Sequence, residues 1–450
     1  MEKFSPEITY TPVISNHSTT IMRQISPQGT NSVTLSTSSV VGPTEFLIPP
    51  SCFNFKRCKL DFSILFSAPS AKAIYVNGNL NTMINRVVVY STLTNSVLAD
   101  ISSFEKYASL VTPSGTEVSE YLTKSYLSGA LPATVANARL NTVEDISKSN
   151  ISTVNDSGAN VDLGPQNPFL GRRQWYIGAK ATAIALDVSL PFSGFKHSIL
   201  STDRNLFFNE NLVLQVYWNN TDNFAFIATE ADDPVTGAAA LEADPVISGI
   251  QLSLATEGNL SIVSQTIDKV QKEGITLPFS YPTVTRQSIT STSPSYTLQL
   301  TRALGQRILA IITAPFSQVA RCGANNHLRG TITQYNTFIN SVALRYQGGF
   351  NTLQSQDYWL ANKAFLEKSV VQAIGEYINA EWLHVDSFFG DKPLYLADMT
   401  QNEVDGLDVS NASSTWQIQS TLSASTAYTW VSLVIGQKVL SITKDGAYVM

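Results

Sequence analysis

Charge is what this sequence has least of. Asp, Glu, Lys and Arg make up 14% of its 450 residues, against about 25% in an ordinary soluble domain, while Ser, Thr and Asn are plentiful. A sparsely charged surface repels other copies weakly and costs little to desolvate, so it suits extensive packing between subunits. A Ser/Thr-rich extracellular β-protein would share the composition. The net charge of −6, with no basic run, argues against a dedicated nucleic-acid surface, and no specific nucleic-acid binding is expected.

Cysteine is equally scarce. Cys52, Cys58 and Cys322 are odd in number and lack metal-ligand spacing, so neither a disulfide framework nor a zinc site is expected, and a reducing compartment fits best. The four histidines, His17, His197, His327 and His384, fall in no H-E-x-x-H or comparable pattern. No G-x-S-x-G elbow, Walker loop or dinucleotide fingerprint occurs, which removes the common hydrolase, nucleotide and redox classes. The opening M-E-K-F-S-P lacks a secretory apolar core, and no apolar run has membrane-spanning length. The six sequons, at Asn16, Asn150, Asn155, Asn219, Asn259 and Asn411, are therefore expected to stay unmodified.

What is present is a near-repetition. N-T-M-I-N-R-V begins at Asn81 and N-T-F-I-N-S-V at Asn336, 255 residues later. A chain this long offers on the order of 10^5 window pairs, so five identities in seven would arise by chance about once, and the flanks carry the weight. Before the copies lie L-D-F-S-I-L-F-S-A-P from Leu60 and I-L-A-I-I-T-A-P from Ile308. Each is an apolar strand that Ala-Pro should end, since proline cannot donate to a ladder. After each copy a strand and then a helix are expected, over residues 102–110 in the first case and from Gln356 to Tyr377 in the second. The second helix would carry Trp359, Leu366, Val370, Ile374 and Tyr377 on one face. Order as well as wording repeats, which predicts a duplication.

Along the chain, β-branched and aromatic runs between turn signals predict strands at 33–40, 45–48, 59–66, 73–77 and 84–90, then at 179–191, 212–218 and 250–254. The run L-V-L-Q-V-Y-W from Leu212 is apolar enough to be buried on both faces. Ser114 to Glu117 reads as a capping box with a short helix after it. Residues 130–174 are polar and long, an exposed insertion. Residues 222–246, Ala-rich and carrying Glu230, Asp232, Asp233, Glu242 and Asp244, read as a surface loop. These carboxylates lack the alternating pattern of a calcium loop. Ile262, Ile267 and Val270 predict a helix ending at Gly274, and the domain boundary is placed near residue 272. Strands resume at 275–281, 295–300, 307–313, 415–420 and 428–435, with 439–449 adding another.

Two spots have the residue types of chemistry. Glu376, Glu381, His384, Asp386 and Asp391 could serve a glycosidase as a carboxylate pair with a helper, or simply end a helix and line the next loop. Arg172, Arg173, Gln174 and Trp175 could take a phosphate or a carbohydrate, or pin a loop by hydrogen bonds and packing. The simpler reading is preferred for both. Neither enters the expected site residues, so the expected catalytic, cofactor and metal residues are none.

The paired strands with their helices, the segment from Leu190-Pro191-Phe192 to Trp218, and the strand-helix-strand stretch from Ile247 to Tyr281 together resemble the double jelly-roll major capsid proteins of tailless icosahedral viruses. That is the lineage of adenovirus hexon, the virophage and polinton capsid proteins and the membrane-containing phages. The resemblance covers most of the chain from about residue 32 as a pattern, with no diagnostic short motif. It implies an all-β fold of two consecutive eight-stranded antiparallel jelly rolls with short inserted helices. The expected divisions are an N-terminal arm over 1–31, a first roll with long surface loops over 32–272 and a second roll over 273–450. Three chains would form a pseudo-hexagonal trimer that tiles an icosahedral shell, with 130–174 and 222–246 as outer towers and the leader docking as a strand on a neighbour. The implied partners are further copies of the chain, penton and minor capsid proteins and, where one lies beneath the shell, an internal membrane. No cofactor and no enzyme activity is implied, and the location would be the virion, assembled inside the host cell. A receptor- or glycan-binding spike or adhesin, a carbohydrate-active enzyme and a single jelly roll with a protruding domain are the competing readings. The internal repeat disfavours the last.

Overall fold

The computed structural model describes residues 18–67, 74–77, 80–111, 152–154, 160–162, 174–176, 184–230, 233–289, 295–317, 339–346, 349–355, 395–398, 406–409, 414–420 and 428–450. Seventeen of the twenty-seven strands among the described residues, with two α-helices, make its frame. In the first half these are β1 (Thr20–Ile25), β2 (Val41–Ile48), β3 (Lys59–Phe66), β4 (Ile84–Ser91), β5 (Val97–Ile101), α1 (Phe104–Val111), β6 (Ile184–Pro191), β7 (Leu212–Trp218) and β8 (Val246–Glu257). Helix α2 (Leu260–Lys272) follows. The second half holds β9 (Ile275–Ile289), β10 (Ser295–Gln299), β11 (Arg307–Ser317), β12 (Ile339–Tyr346), β13 (Gly349–Ser355), β14 (Tyr395–Asp398), β15 (Thr415–Ser420), β16 (Tyr428–Thr443) and β17 (Gly446–Val449).

The strand orders repeat. In the first half β1-β8-β3-β6 forms one antiparallel sheet and β2-β7-β4-β5 the other. In the second half β9-β16-β11-β14 and β10-β15-β12-β13 do the same. Raising each strand number by eight turns the first pair of orders into the second. The two motif copies occupy the same place: β4 begins at Ile84 and β12 at Ile339, the isoleucines of the repeated heptad.

Alternation explains how the sheets face each other. Along β3, Leu60, Phe62, Ile64 and Phe66 are buried while Asp61 and Ser63 point outward, as the two-residue period of a strand requires. The Phe62 ring meets Trp218 of β7 edge-on at 5.1 Å, so the inner faces of the two sheets touch there. Trp218 is fully buried, and its Nε1–H donates to Thr44 Oγ1 at 2.8 Å, which satisfies the indole's one polar group. In the second half Trp416 of β15 satisfies its indole differently, donating to Thr313 Oγ1 of β11, a strand of the other sheet, at 3.0 Å. Outside, Asp61 accepts from Ser253 Oγ at 2.5 Å and from Ser189 Oγ. Around Asp61 the outer face of the first sheet is thus polar and self-satisfied, while Leu65 on the same face of β3 is exposed.

Three expectations change. The leader is not free over its whole length: Thr20–Ile25 pairs antiparallel with Leu252–Glu257 of its own chain, so the strand expected to dock on a neighbour belongs in part to the first sheet. Residues 222–246 are not one loop, because Ala225–Glu230 and Asp233–Ala239 pair antiparallel beside Ile74–Asn77. Ala314-Pro315 does not end β11, which runs on to Ser317. Beyond Thr313 its partner among the described residues is β16 alone, and a position without a second ladder needs no donor from proline. The capping box at Ser114, the helix expected from Gln356 and Cys322 lie outside the described residues, as do the sequons at Asn16, Asn150, Asn155 and Asn411.

Candidate functional site: the seam and the open edge

No described sheet mixes strands from the two halves, yet one apolar cluster contains residues of both. Leu277, Phe279 and Tyr281 of β9 and Leu433, Ile435 and Leu440 of β16 pack with the first sandwich. The outermost strands make much of the contact, β9 against β5 and β17 against β5 and β4, and helices α1 and α2 also reach β16. Polar groups finish it. Glu210, buried at the end of the link into β7, accepts the Leu93 N–H at 2.9 Å, the Ala447 N–H at 2.6 Å and the Ser91 hydroxyl. The Thr94 hydroxyl donates to the Ala447 carbonyl, and the Val449 N–H donates to Ser96 Oγ at 3.0 Å.

These bonds have a common logic. The 439–450 pairing directs alternate backbone groups of β17 toward β16, leaving those of Ala447 and Val449 on the outer edge, where an unpaired row would invite another strand. First-half side chains take Ala447 N–H, Ala447 C=O and Val449 N–H. The second sandwich is therefore sealed by the first. Beside this row Arg86 grips Asp100 through two bonds of 2.7 and 2.6 Å and lies 5.9 Å from the Tyr217 ring centre. Lys438 Nζ sits 3.6 Å from the ring centre of Tyr281. Burial, reinforced by the Asp100 charge, pushes the Tyr281 hydroxyl up to about 12, so it stays protonated as part of the seam.

By sequence the chain matches no family model and no curated protein. Solved structures do match. VP54 of PBCV-1, in a crystal structure fitted into a cryo-EM reconstruction of the virophage Sputnik, is 10% identical over 98% of both chains with a TM-score of 0.52. The Faustovirus major capsid protein is 9% identical over 97% of this chain and 94% of that one, at 0.54. The chain has the double jelly-roll fold. In that fold each roll is one of the sandwiches described above, and the repeated strand order is its signature.

Among the described residues, one edge of the double jelly roll has no second strand bonded to it. β1 is bonded only to β8, and its Ile21 and Met22 are 48% and 45% exposed. Glu257 fixes its start, accepting from Ser18 Oγ at 2.5 Å, Thr19 N–H at 2.8 Å, Asn205 Nδ2 at 2.6 Å and Asn259 N–H at 2.8 Å. Burial opposes ionisation of this carboxyl, but the Ser18 hydroxyl, the Asn259 and Thr19 amides and Asn205 outweigh it and hold it below its ordinary 4.5.

The residues with the types of chemistry are not assembled in the described part of the double jelly roll. Glu376, Glu381, His384, Asp386 and Asp391 lie outside the described residues, as do Arg172 and Arg173. Gln174 and Trp175 form a short strand on Ile74–Asn77. Among the described residues no group of His, Cys, Asp and Glu could hold a metal. Cys52 and Cys58 are free and buried, which pushes their thiols up to about 11 and about 12 and makes them poor nucleophiles. Asn219 is fully buried and donates to the Thr82 carbonyl at 3.0 Å, so its sequon is closed to a glycan in the folded chain. Sequence reasoning missed Glu210, Thr94 and Ser96. The one local hint was a carboxylate set between Phe207-Phe208 and the apolar β7.

Proposed function

We propose that this chain is the major capsid protein of an icosahedral virus, acting by assembly rather than catalysis. The observation that carries the reading is the pair of like rolls, similar in fold to the Faustovirus major capsid protein, locked side by side through one seam. Two rolls fixed in one chain make an elongated block, and three blocks would give six rolls in a pseudo-hexagonal tile. Burial of apolar and uncharged polar surface would drive the association, and the low charge of the chain favours it. In this reading helix α2 is the divide between the rolls near residue 272. The hairpin over 225–239 and the insertion over 130–174 rise as outer towers. The partners are other trimers, penton and minor capsid proteins, and the location is the virion shell.

Light scattering on a sizing column, followed by negative-stain imaging, tests this. A mass three times that of the 49.0 kDa chain with a hexagonal outline is expected. A monomer at every concentration, or a dimer with no hexagonal outline, would sink the reading.

A further inference from the structure

The first roll has two unlike ends. At one, Ile48, Leu212 and Ser91 lie level across one sheet and Pro191, Lys59 and Ser253 across the other, and the links 49–58, 92–96 and 192–211 close it. β1 starts there, with Thr20 opposite Glu257. Helix α2 leaves from this end and returns to it, since β9 opens at Ile275 opposite Ile442 and β17, next along the chain, binds Ser96. At the other end Ile74–Asn77, Gln174–Tyr176 and Ala225–Glu230, drawn from three different links, pair into a small sheet of their own.

Exposed apolar side chains gather at the first of these ends. Of the nine large ones exposed among the described residues, only Val40 and Leu65 lie elsewhere. Leu93, Val97, Tyr448 and Met450 form one group across the seam: a Cβ added at Gly446 would fall 3.4 Å from Leu93 Cδ2, and the Val449 N–H reaches Ser96 Oγ. Ile21, Met22 and Leu260 form a second group, where β1 begins and α2 starts. Cations share the surface. Lys56, Arg57, Arg204, Lys269, Lys272 and Lys444 are exposed there against Asp203, Asp268, Glu273 and Asp445, six to four in a chain whose net charge is −6.

We propose that this end of the chain binds the surface of an anionic lipid bilayer. The apolar side chains would enter the boundary between head groups and acyl chains, and the surplus cations would meet the head groups. The occupant is a membrane because the features are of two kinds on one end. Grouped exposed apolar side chains mark an interaction site, and a local excess of Lys and Arg in an acidic chain gives that site a negative partner. A single acidic peptide would meet one apolar group, whereas an extended surface meets both. Tyr448 suits the same boundary, an aromatic body with a polar tip. The proposal does not depend on the capsid reading.

Flotation of the full chain with vesicles of phosphatidylcholine alone, or of phosphatidylcholine with phosphatidylserine, tests it. The chain is expected to rise with the anionic vesicles, to stay behind with the neutral ones, and to be released by salt. Leu93→Ser combined with Leu260→Ser and Met450→Ser should weaken the binding by about tenfold or more, while Leu65→Ser, on the outer sheet face, should leave it unchanged. No flotation, equal flotation with both vesicles, or an equal loss in the two variants would overturn the proposal. So would capture of the chain by poly-glutamate beads but not by vesicles, which would assign an acidic protein partner instead. A hexagonal trimer that ignores vesicles would overturn the membrane contact and leave the capsid reading standing. If the triple variant does not fold, labelling the unaltered chain with a diazirine-bearing phosphatidylserine decides: adducts are expected within 93–97, 260–263 and 446–450, and adducts confined to the other end would overturn the proposal.

Discussion

At the scale of single residues, carboxylates here act as fasteners. Glu257 draws the incoming leader, the end of β8 and the start of α2 to one point using four donors. Those donors favour the charged form and hold its pKa low, so the folded state binds this proton less readily than the unfolded chain does. The resulting stabilisation is complete above pH 4.5 and is lost as pH falls through the lower folded value. Hydrogen exchange followed across that range should show the amides of Ile21, Arg23 and Ile25 losing protection on acidification before those of β3, and Glu257→Gln should remove most of this pH dependence. Equal protection of β1 at pH 7 and below the folded value would show that the clamp contributes nothing. Such residues left little trace in the sequence, because a fastener is defined by donors that the fold supplies. Glu210, Thr94 and Ser96 were legible only as ordinary polar residues.

At the scale of elements, periodicity was a good guide where a strand has one wet and one dry face. The K-L-D-F-S-I-L-F of β3 and the two-faced apolar run of β7 were readable to the residue, and the glycine that stops α2 was readable too: Gly274 follows the C-cap Glu273, and its φ of 75° is the left-handed value a glycine there allows. β1 was not readable, since T-I-M-R-Q-I is exposed along most of its length and shows no alternation. The hairpin over 225–239 was hidden by alanine, which favours no strand. Glycine placement was also hidden. In β16, Gly436 lies where the register with β11 shifts between Ile308 and Ala310, and a Cβ there would fall 1.9 Å from the Leu304 carbonyl oxygen. Because that neighbour is backbone, relief requires the ladder to move. Gly436→Ala should lower the unfolding free energy by about 1–3 kcal/mol, read from denaturant midpoints. Gly194→Ala, which meets nothing within 4 Å, should leave the midpoint in place. Equal midpoints for the two variants would show that β16 yields more easily than its packing suggests.

At the scale of the whole molecule, the rolls are chemically joined as well as adjacent. Glu210→Ala would strand the Leu93 and Ala447 amides, at about 1–3 kcal/mol for each buried donor left unmet. Exchange at Ala447 and Val449 should quicken while Val89 in the middle of β4 keeps its protection. Unchanged rates at Ala447 would mean that the apolar part of the seam suffices without its polar row. The seam also sets an order of events. Val449 is translated 353 residues after Ser96 and Ala447 follows Glu210 by 237, which at roughly 5–20 residues per second is on the order of ten seconds to a minute. Throughout that interval the first roll presents its acceptors to water, and the sheet edge they will seal does not yet exist. Closing the seam therefore reports that both rolls have been made and folded, and a chain interrupted between them carries an unanswered surface that distinguishes it from a finished one.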